Sequence, residues 1–150
     1  MTAVLSLGSN LGDRRAHLRS ALGLLRPTAV SSVWETAPVG GREQDDFLNL
    51  VAFVDADAGQ AWELAQQAER EAGRVREVRW GPRTLDVDVV LALPPVPPGL
   101  VVPHPRAHAR AFVLAPWLEI DPQATLPGRG SVAALLAAVG TQGVRQAGGL

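Results

Sequence analysis

Between Arg79 and Asp88 the chain reads RWGPRTLDVD, which sets two carboxylates two positions apart behind two arginines. On a strand, residues i and i+2 share a face, so Asp86 and Asp88 are expected to point together while Leu85, Val87, Val89 and Leu91 turn to the core. Two neighbouring carboxylates repel unless a proton or a cation lies between them, and an all-oxygen pair suits a hard ion such as Mg²⁺. Arg74, Arg76, Arg79 and Arg83 crowd the segment just upstream. Guanidinium forks can grip phosphate oxygens bidentately, so the arginines and the acids together are the raw material of a metal-triphosphate site. The plainer alternative is a solvated strand face beside a charged loop.

Composition narrows the chemistry. All 14 basic side chains are arginine, so a lysine-dependent phosphate loop of the Walker type is excluded. There is no cysteine, which removes disulfide and cysteine-zinc designs and permits a reducing compartment. The net charge of −1 argues against a general nucleic-acid coat. The opening MTAVLSLGSN carries neither a basic leader nor a long apolar run. The expectation is a soluble cytoplasmic protein with no nucleic acid or membrane partner. At 150 residues the chain matches one domain, taken here as 1–150.

The elements that must position these groups follow from periodicity. Val4 to Leu7 is an apolar strand ending in a turn at Gly8-Ser9-Asn10. Leu18, Ala21, Leu22 and Leu25 then recur at helical spacing, with Asp13 as N-cap and Pro27 beyond the end. GSNLGD reads better as turn and cap than as a phosphate cradle. Ala29 to Thr36 is a second strand, and Ala37 to Asp45, with Pro38, Gly40 and Gly41, is a candidate mobile loop. In the third strand, Phe47 to Val54, Asn49 shares a face with Phe47, Val51 and Phe53. A buried amide there needs partners from the protein or from a ligand. Gln60 to Ala72 is an amphipathic helix stopped by Gly73. The proline-rich LPPVPPGL forms a loop or an edge. Ala111 to Leu118 is expected to be partly helical, Ser131 to Val139 makes a last helix, and the terminal TQGVRQAGGL is expected to fray. The order β-α-β-β-α-β with additions points to an α+β fold, a ferredoxin-like sandwich with a mainly antiparallel sheet flanked by helices.

GSNLGD, ETAPVG, DFLN, RWGPRTLDVD and VPHPRAHARAFVL occur in this order over most of the chain. In this the sequence resembles the 6-hydroxymethyl-7,8-dihydropterin pyrophosphokinases, folate-pathway enzymes that move pyrophosphate from ATP to a pterin alcohol. The resemblance implies that Asp86 and Asp88 bind two Mg²⁺ ions against the ATP phosphates, with Asp88 also a candidate to accept the hydroxyl proton. It implies that Arg74 and Arg83 act in catalysis, and that Arg76, Trp80, His104, Arg110 and Glu69 belong to the nucleotide-binding network. Phe47 and Phe112 would sandwich the pterin ring while Asn49 and Thr36 hydrogen-bond its edge, and the resemblance further implies a monomer whose partners are small molecules, ATP and the hydroxymethyl-dihydropterin. From the residues alone, His104 is equally a turn cap between two prolines and Glu69 an exposed helical acid.

The chain departs from the family pattern in three places. Phe47 stands where some members have tyrosine, GRVREV is one residue short, and the stretch Leu93 to Leu100 replaces a hairpin-like segment. Two other readings fit a similar fold: a two-metal phosphohydrolase, which would need an activated water, and a nucleotide-sensing module without turnover.

Overall fold

The computed structural model describes residues 1–37, 46–73 and 84–150. Its main sheet is built from β1 (Ala3–Ser9), β2 (Ala29–Val30), β3 (Trp34–Thr36), β4 (Phe47–Val54), β5 (Asp86–Leu91) and β8 (Val144–Gln146). The strands lie in the order β5-β1-β4-β3-β8, with β2 also paired to β4, and every pairing is antiparallel. If β2 and β3 are taken as halves of one strand, this is the expected split βαβ arrangement with β8 added at an edge. The helices are α1 (Arg14–Leu25), α2 (Ala58–Ala72), α3 (Ala111–Ile120) and α4 (Val132–Val139), and a small hairpin, β6 (Thr125–Leu126) with β7 (Gly130–Ser131), precedes α4.

Local chemistry sets the helix ends. Asp13 Oδ1 accepts the Ala16 N–H at 3.1 Å, and Arg26 closes α1 in the left-handed region at φ 51°. Helix α2 starts two residues before the expected Gln60 because Asp57 and Gln60 form a capping box, each side chain bonding the other's backbone N–H at 2.8 and 3.0 Å. Its buried face is Ala58, Ala61, Ala65 and Ala68. Small side chains let the helix lie close to its neighbours.

The strand alternation divides the core in two. Leu5, Leu7, Leu48, Leu50, Val87 and Val89 meet α1 and α2 on one face. Val4, Val51 and Val90 meet Val113, Leu114 and Trp117 of α3 and Val132 of α4 on the other. Leu91 corrects the simple alternation. A bulge shifts the β1–β5 register between Val4 and Leu5, so Leu91 pairs with Val4 and joins the α3 side.

Three other expectations are revised. β1 runs on through Gly8 to Ser9, because both Gly8 and Ser9 pair with β4. The expected second strand is interrupted at Ser31–Val33: the Ser31 hydroxyl accepts the Val51 N–H at 3.0 Å, and Val33 exchanges backbone hydrogen bonds at 2.7 Å with Ala147 and Gly148 instead. The chain changes partner there. The C-terminal segment is not frayed but pairs with β3 through Val144, Arg145 and Gln146.

One carboxylate ties α3 to this edge. Glu119 accepts from Ser32 N (2.8 Å), Ser32 Oγ (2.7 Å), Trp34 Nε1 (3.0 Å) and Gln146 Nε2 (3.4 Å). Partial burial pushes its pKa up, but the donors from Ser32, Trp34 and Gln146 outweigh burial and hold it below the usual value of 4.5. A depressed folded pKa contributes stability above the unfolded value that is lost as pH falls through the folded one. Glu119→Gln sets an amide NH₂ among donors, so its melting temperature should lie a few degrees below wild type at pH 7. Thermal melts from pH 7 to pH 3 should show that gap closing below about pH 4.5; a constant gap would show that the charge of Glu119 contributes nothing.

Candidate active site

Where α3 leaves the sheet uncovered, a cavity of about 340 Å³ opens, large enough for a small heterocycle. The sheet supplies its floor in rows set by register. Asp86 pairs with Gly8 and Gly8 with Asn49, while Asp88 pairs with Ser6 and Ser6 with Val51. Side chains opposite one another share a face. Asp86 and Asp88 therefore line the same cavity as Asn49, Thr36 and Phe47, with Arg110 and Phe112 from the start of α3 above them. Two strand spacings separate the acids from Asn49, roughly 10 Å.

Gly8 is required at the centre of that row. A Cβ at this position would stand 2.8 Å from Asn49 Oδ1. Asn49 is only 3% exposed, and its Nδ2 donates to Thr36 Oγ1 at 2.8 Å. The protein thus supplies one partner for the amide, and the rest of the group faces the cavity. Accepting from Asn49 leaves the Thr36 hydroxyl hydrogen able to donate elsewhere.

At the acidic end, Arg110 Nη1 lies 3.5 Å from Asp88 Oδ2, and the Arg110 guanidinium carbon sits 5.4 Å from the centre of the Phe112 ring. One side chain thereby touches both halves of the site, through charge on one side and a cation–π contact on the other. His104 is fastened to β5 by its backbone N–H on the Val90 carbonyl at 2.8 Å. Its Nδ1 accepts the Arg106 N–H at 3.1 Å, so in the neutral ring the proton is on Nε2, which lies 3.9 Å from Asp88 Oδ2. That is too long for a hydrogen bond. Burial lowers the His104 pKa, Arg110 and Arg106 lower it further, and Asp88 opposes them. The lowered pKa favours the neutral ring, whose Nε2–H is a donor.

Glu69 lies half-buried on α2, not exposed as its helical context suggests. Its Oε2 accepts the Val87 N–H at 2.8 Å, on the residue between the two aspartates. β5 is an edge strand, and this carboxylate occupies a donor the sheet leaves open. Glu69 is not among the residues that line the cavity; it meets the outer edge of the strand that carries both aspartates.

Arg74, Arg76, Arg79, Trp80, Arg83 and the expected loop from residue 38 to Asp45 lie outside the described residues. Ser6, Gly8 and Ala37 line the cavity without having been expected there. The signal for the first two was available: a serine and a glycine alternate with Leu5 and Leu7 in an otherwise apolar strand. Among the described residues no group of three or more His, Cys, Asp or Glu side chains converges as a metal cage. A two-carboxylate site still suits Mg²⁺, which keeps waters and takes substrate phosphates as its other ligands.

Residues 4–122 match the family described as 7,8-dihydro-6-hydroxymethylpterin-pyrophosphokinase. A 2-amino-4-hydroxy-6-hydroxymethyldihydropteridine pyrophosphokinase from Bacillus subtilis is 47% identical over 131 residues, covering 81% of this chain and 78% of the relative. The enzyme of that name from Mycobacterium tuberculosis (strain H37Rv) is 48% identical over 139 residues, covering 82% and 74%. Its Pseudomonas aeruginosa counterpart is 38% identical over 151 residues, covering 94% and 93%. Matched by the family over most of its length and 38–48% identical to these relatives, this chain belongs to the 7,8-dihydro-6-hydroxymethylpterin-pyrophosphokinase family.

Proposed function

We propose that the chain acts as one domain that transfers pyrophosphate from ATP to the hydroxymethyl group of 6-hydroxymethyl-7,8-dihydropterin, in folate biosynthesis, with release of AMP and dependence on Mg²⁺. The observation that carries this reading is the shared cavity, with the Asp86 and Asp88 carboxylates at one end and Phe47, Phe112, Asn49 and Thr36 at the other. A flat, edge-polar ring suits the second end. A metal-bound polyphosphate suits the first.

In this reaction the pterin hydroxyl oxygen attacks the β-phosphorus, and the bond to the bridging oxygen retained by AMP breaks. Asp86 and Asp88 would hold two Mg²⁺ ions, which when bound neutralise phosphate charge as it shifts toward the leaving oxygen. The protein's own part is positioning. Phe47 and Phe112 clasp the ring, and Asn49 and Thr36 fix its edge so that the hydroxymethyl arm points along the row toward the acids. Arg110 and neutral His104 donate to phosphate oxygens beside Asp88. By the family resemblance Arg74 and Arg83 would act in catalysis, and Arg76 and Trp80 would belong to the nucleotide-binding network. Asp88 receives the hydroxyl proton. A carboxylate is a weak base beside an alkoxide, so the proton leaves only as the new P–O bond forms and the hydroxyl becomes acidic.

The direct test is AMP formation from ATP and Mg²⁺ with and without hydroxymethyl-dihydropterin. Pterin-dependent AMP supports the transferase, phosphate or pyrophosphate release without pterin supports a hydrolase, and ATP binding without turnover supports a sensing module. Asp86→Ala should lower kcat by more than ~100-fold, since even outer-shell changes at metal sites cost 10- to 100-fold. Its melting temperature should stay near wild type, because no core contact is removed. Asn49→Ala should weaken pterin binding about tenfold, the weight of one well-placed hydrogen bond, and leave ATP binding within twofold. Gly8→Ala should reproduce the Asn49→Ala pattern in titrations with each substrate, because the new methyl group displaces the Asn49 oxygen; a loss shared equally by ATP would place Gly8 outside the pterin end.

A further inference from the structure

The C-terminal strand lies beyond the residues 4–122 that match the family, yet it is paired directly to the wall of the cavity. Val144 opposes Thr36, and Arg145 opposes Glu35. Arg145 Nη2 lies 3.1 Å from Glu35 Oε2 and 3.5 Å from Asp46 Oδ2. These acids immediately precede Thr36 and Phe47, which pair with each other across β3 and β4 and both line the cavity. By strand alternation the acids turn to the opposite face of the sheet from their cavity-lining neighbours. Helix α1 reaches the same place: Arg14 Nη1 donates to the Asp46 carbonyl at 2.7 Å, and Arg15 binds the Ala147 and Gly149 carbonyls at 2.6 and 2.8 Å.

We infer that Arg145 is a positioning residue for the flat substrate: by bridging Glu35 and Asp46 behind the sheet it fixes the spacing of Thr36 and Phe47 in the cavity. Without a cation between them, the two carboxylates repel and spread the base of the wall. The contribution to overall stability is small, because Arg145 is 68% exposed and an exposed ion pair is weak. Its effect is felt in the alignment of one wall. The phosphate end, carried by β5 at the far edge of the sheet, is insulated from it. The inference rests on the pterin occupying the end of the cavity that holds Phe47 and Asn49.

The test compares wild type, Arg145→Ala, Arg145→Lys and the double variant Arg145→Ala/Asp46→Asn in steady-state assays, with thermal melts as a control. Arg145→Ala should raise KM for hydroxymethyl-dihydropterin about threefold to fivefold, the upper part of the range an exposed ion pair spans. KM for ATP and kcat at saturation should stay within twofold. Arg145→Lys should restore part of the pterin KM, and Asp46→Asn in the Arg145→Ala background should restore most of it, because either change relieves the repulsion. A wild-type pterin KM in Arg145→Ala overturns the inference, as does an equal rise for both substrates or a failure of Asp46→Asn to rescue. If wild type forms no pterin-dependent AMP, the functional reading fails and takes this inference with it. If wild type turns over and Arg145→Ala matches it, only the role of Arg145 is lost.

Discussion

The site depends on one register. β1 lies between β5 and β4, and its pairing sets Asp86, Gly8 and Asn49 side by side on one face. Because side chains alternate with a period of two, a slip of one residue would carry the aspartates into the leucine-rich layer against α1 and α2 and bring Val87 and Leu50 out to the cavity. Burying two carboxylates in that apolar layer is costly enough to exclude the alternative pairing. The apolar core thus specifies the acidic site by refusing it on the other side. Glu69 reinforces the choice by holding the Val87 N–H on the outer edge of β5. The strand that carries both aspartates is fixed by β1 on one flank and by a helix side chain on the other.

The two helical layers have different duties. Helices α1 and α2 cover their face and hold the sheet, and α2 achieves this with alanines that bring its backbone, and therefore Glu69, close to β5. Helix α3 covers only part of the other face, and its first turn supplies Arg110 and Phe112 to the cavity. Pro116 lies inside α3 and has no N–H for the carbonyl of Phe112 four residues earlier. Arg110 then joins the two ends of the cavity, with Asp88 on one side and the Phe112 ring on the other. Charge and stacking are balanced through a single guanidinium, whose weak hydration suits it to sit on an aromatic face.

Much of this arrangement was legible in the residues. Alternation placed Asp86 with Asp88, and Asn49 with Phe47, on one face, and the element order gave the split βαβ sheet. What escaped notice depended on contacts distant in sequence. The alternation Leu5-Ser6-Leu7-Gly8 hints that Gly8 continues the strand, but the reason this position must be glycine is Asn49 on β4. The short C-terminal strand carries one valine among polar residues, and the residues just after it are held by Val33 and Arg15, more than a hundred positions earlier. The interruption at Ser31 arises from a hydroxyl that replaces a backbone acceptor, which a propensity pattern does not record. Glu69 has an ordinary helical context, and its purpose is visible only when β5 lies beside it. The start of α2, by contrast, was readable from Asp57 and Gln60 as a capping box.

The two aromatic rings of the cavity hang from different supports. Phe47 belongs to the sheet and Phe112 to the helix laid over it, so the slot between them is as wide as those layers stand apart. That separation is gauged by Val51, Val113, Leu114 and Trp117, buried side chains that work as shims beneath the helix. Interiors packed at crystal density register a single methylene. The calibre of the slot is therefore written in buried apolar volume that does not line the cavity, and drift in that hidden layer would move the two rings relative to one another while every polar group in the cavity stayed the same.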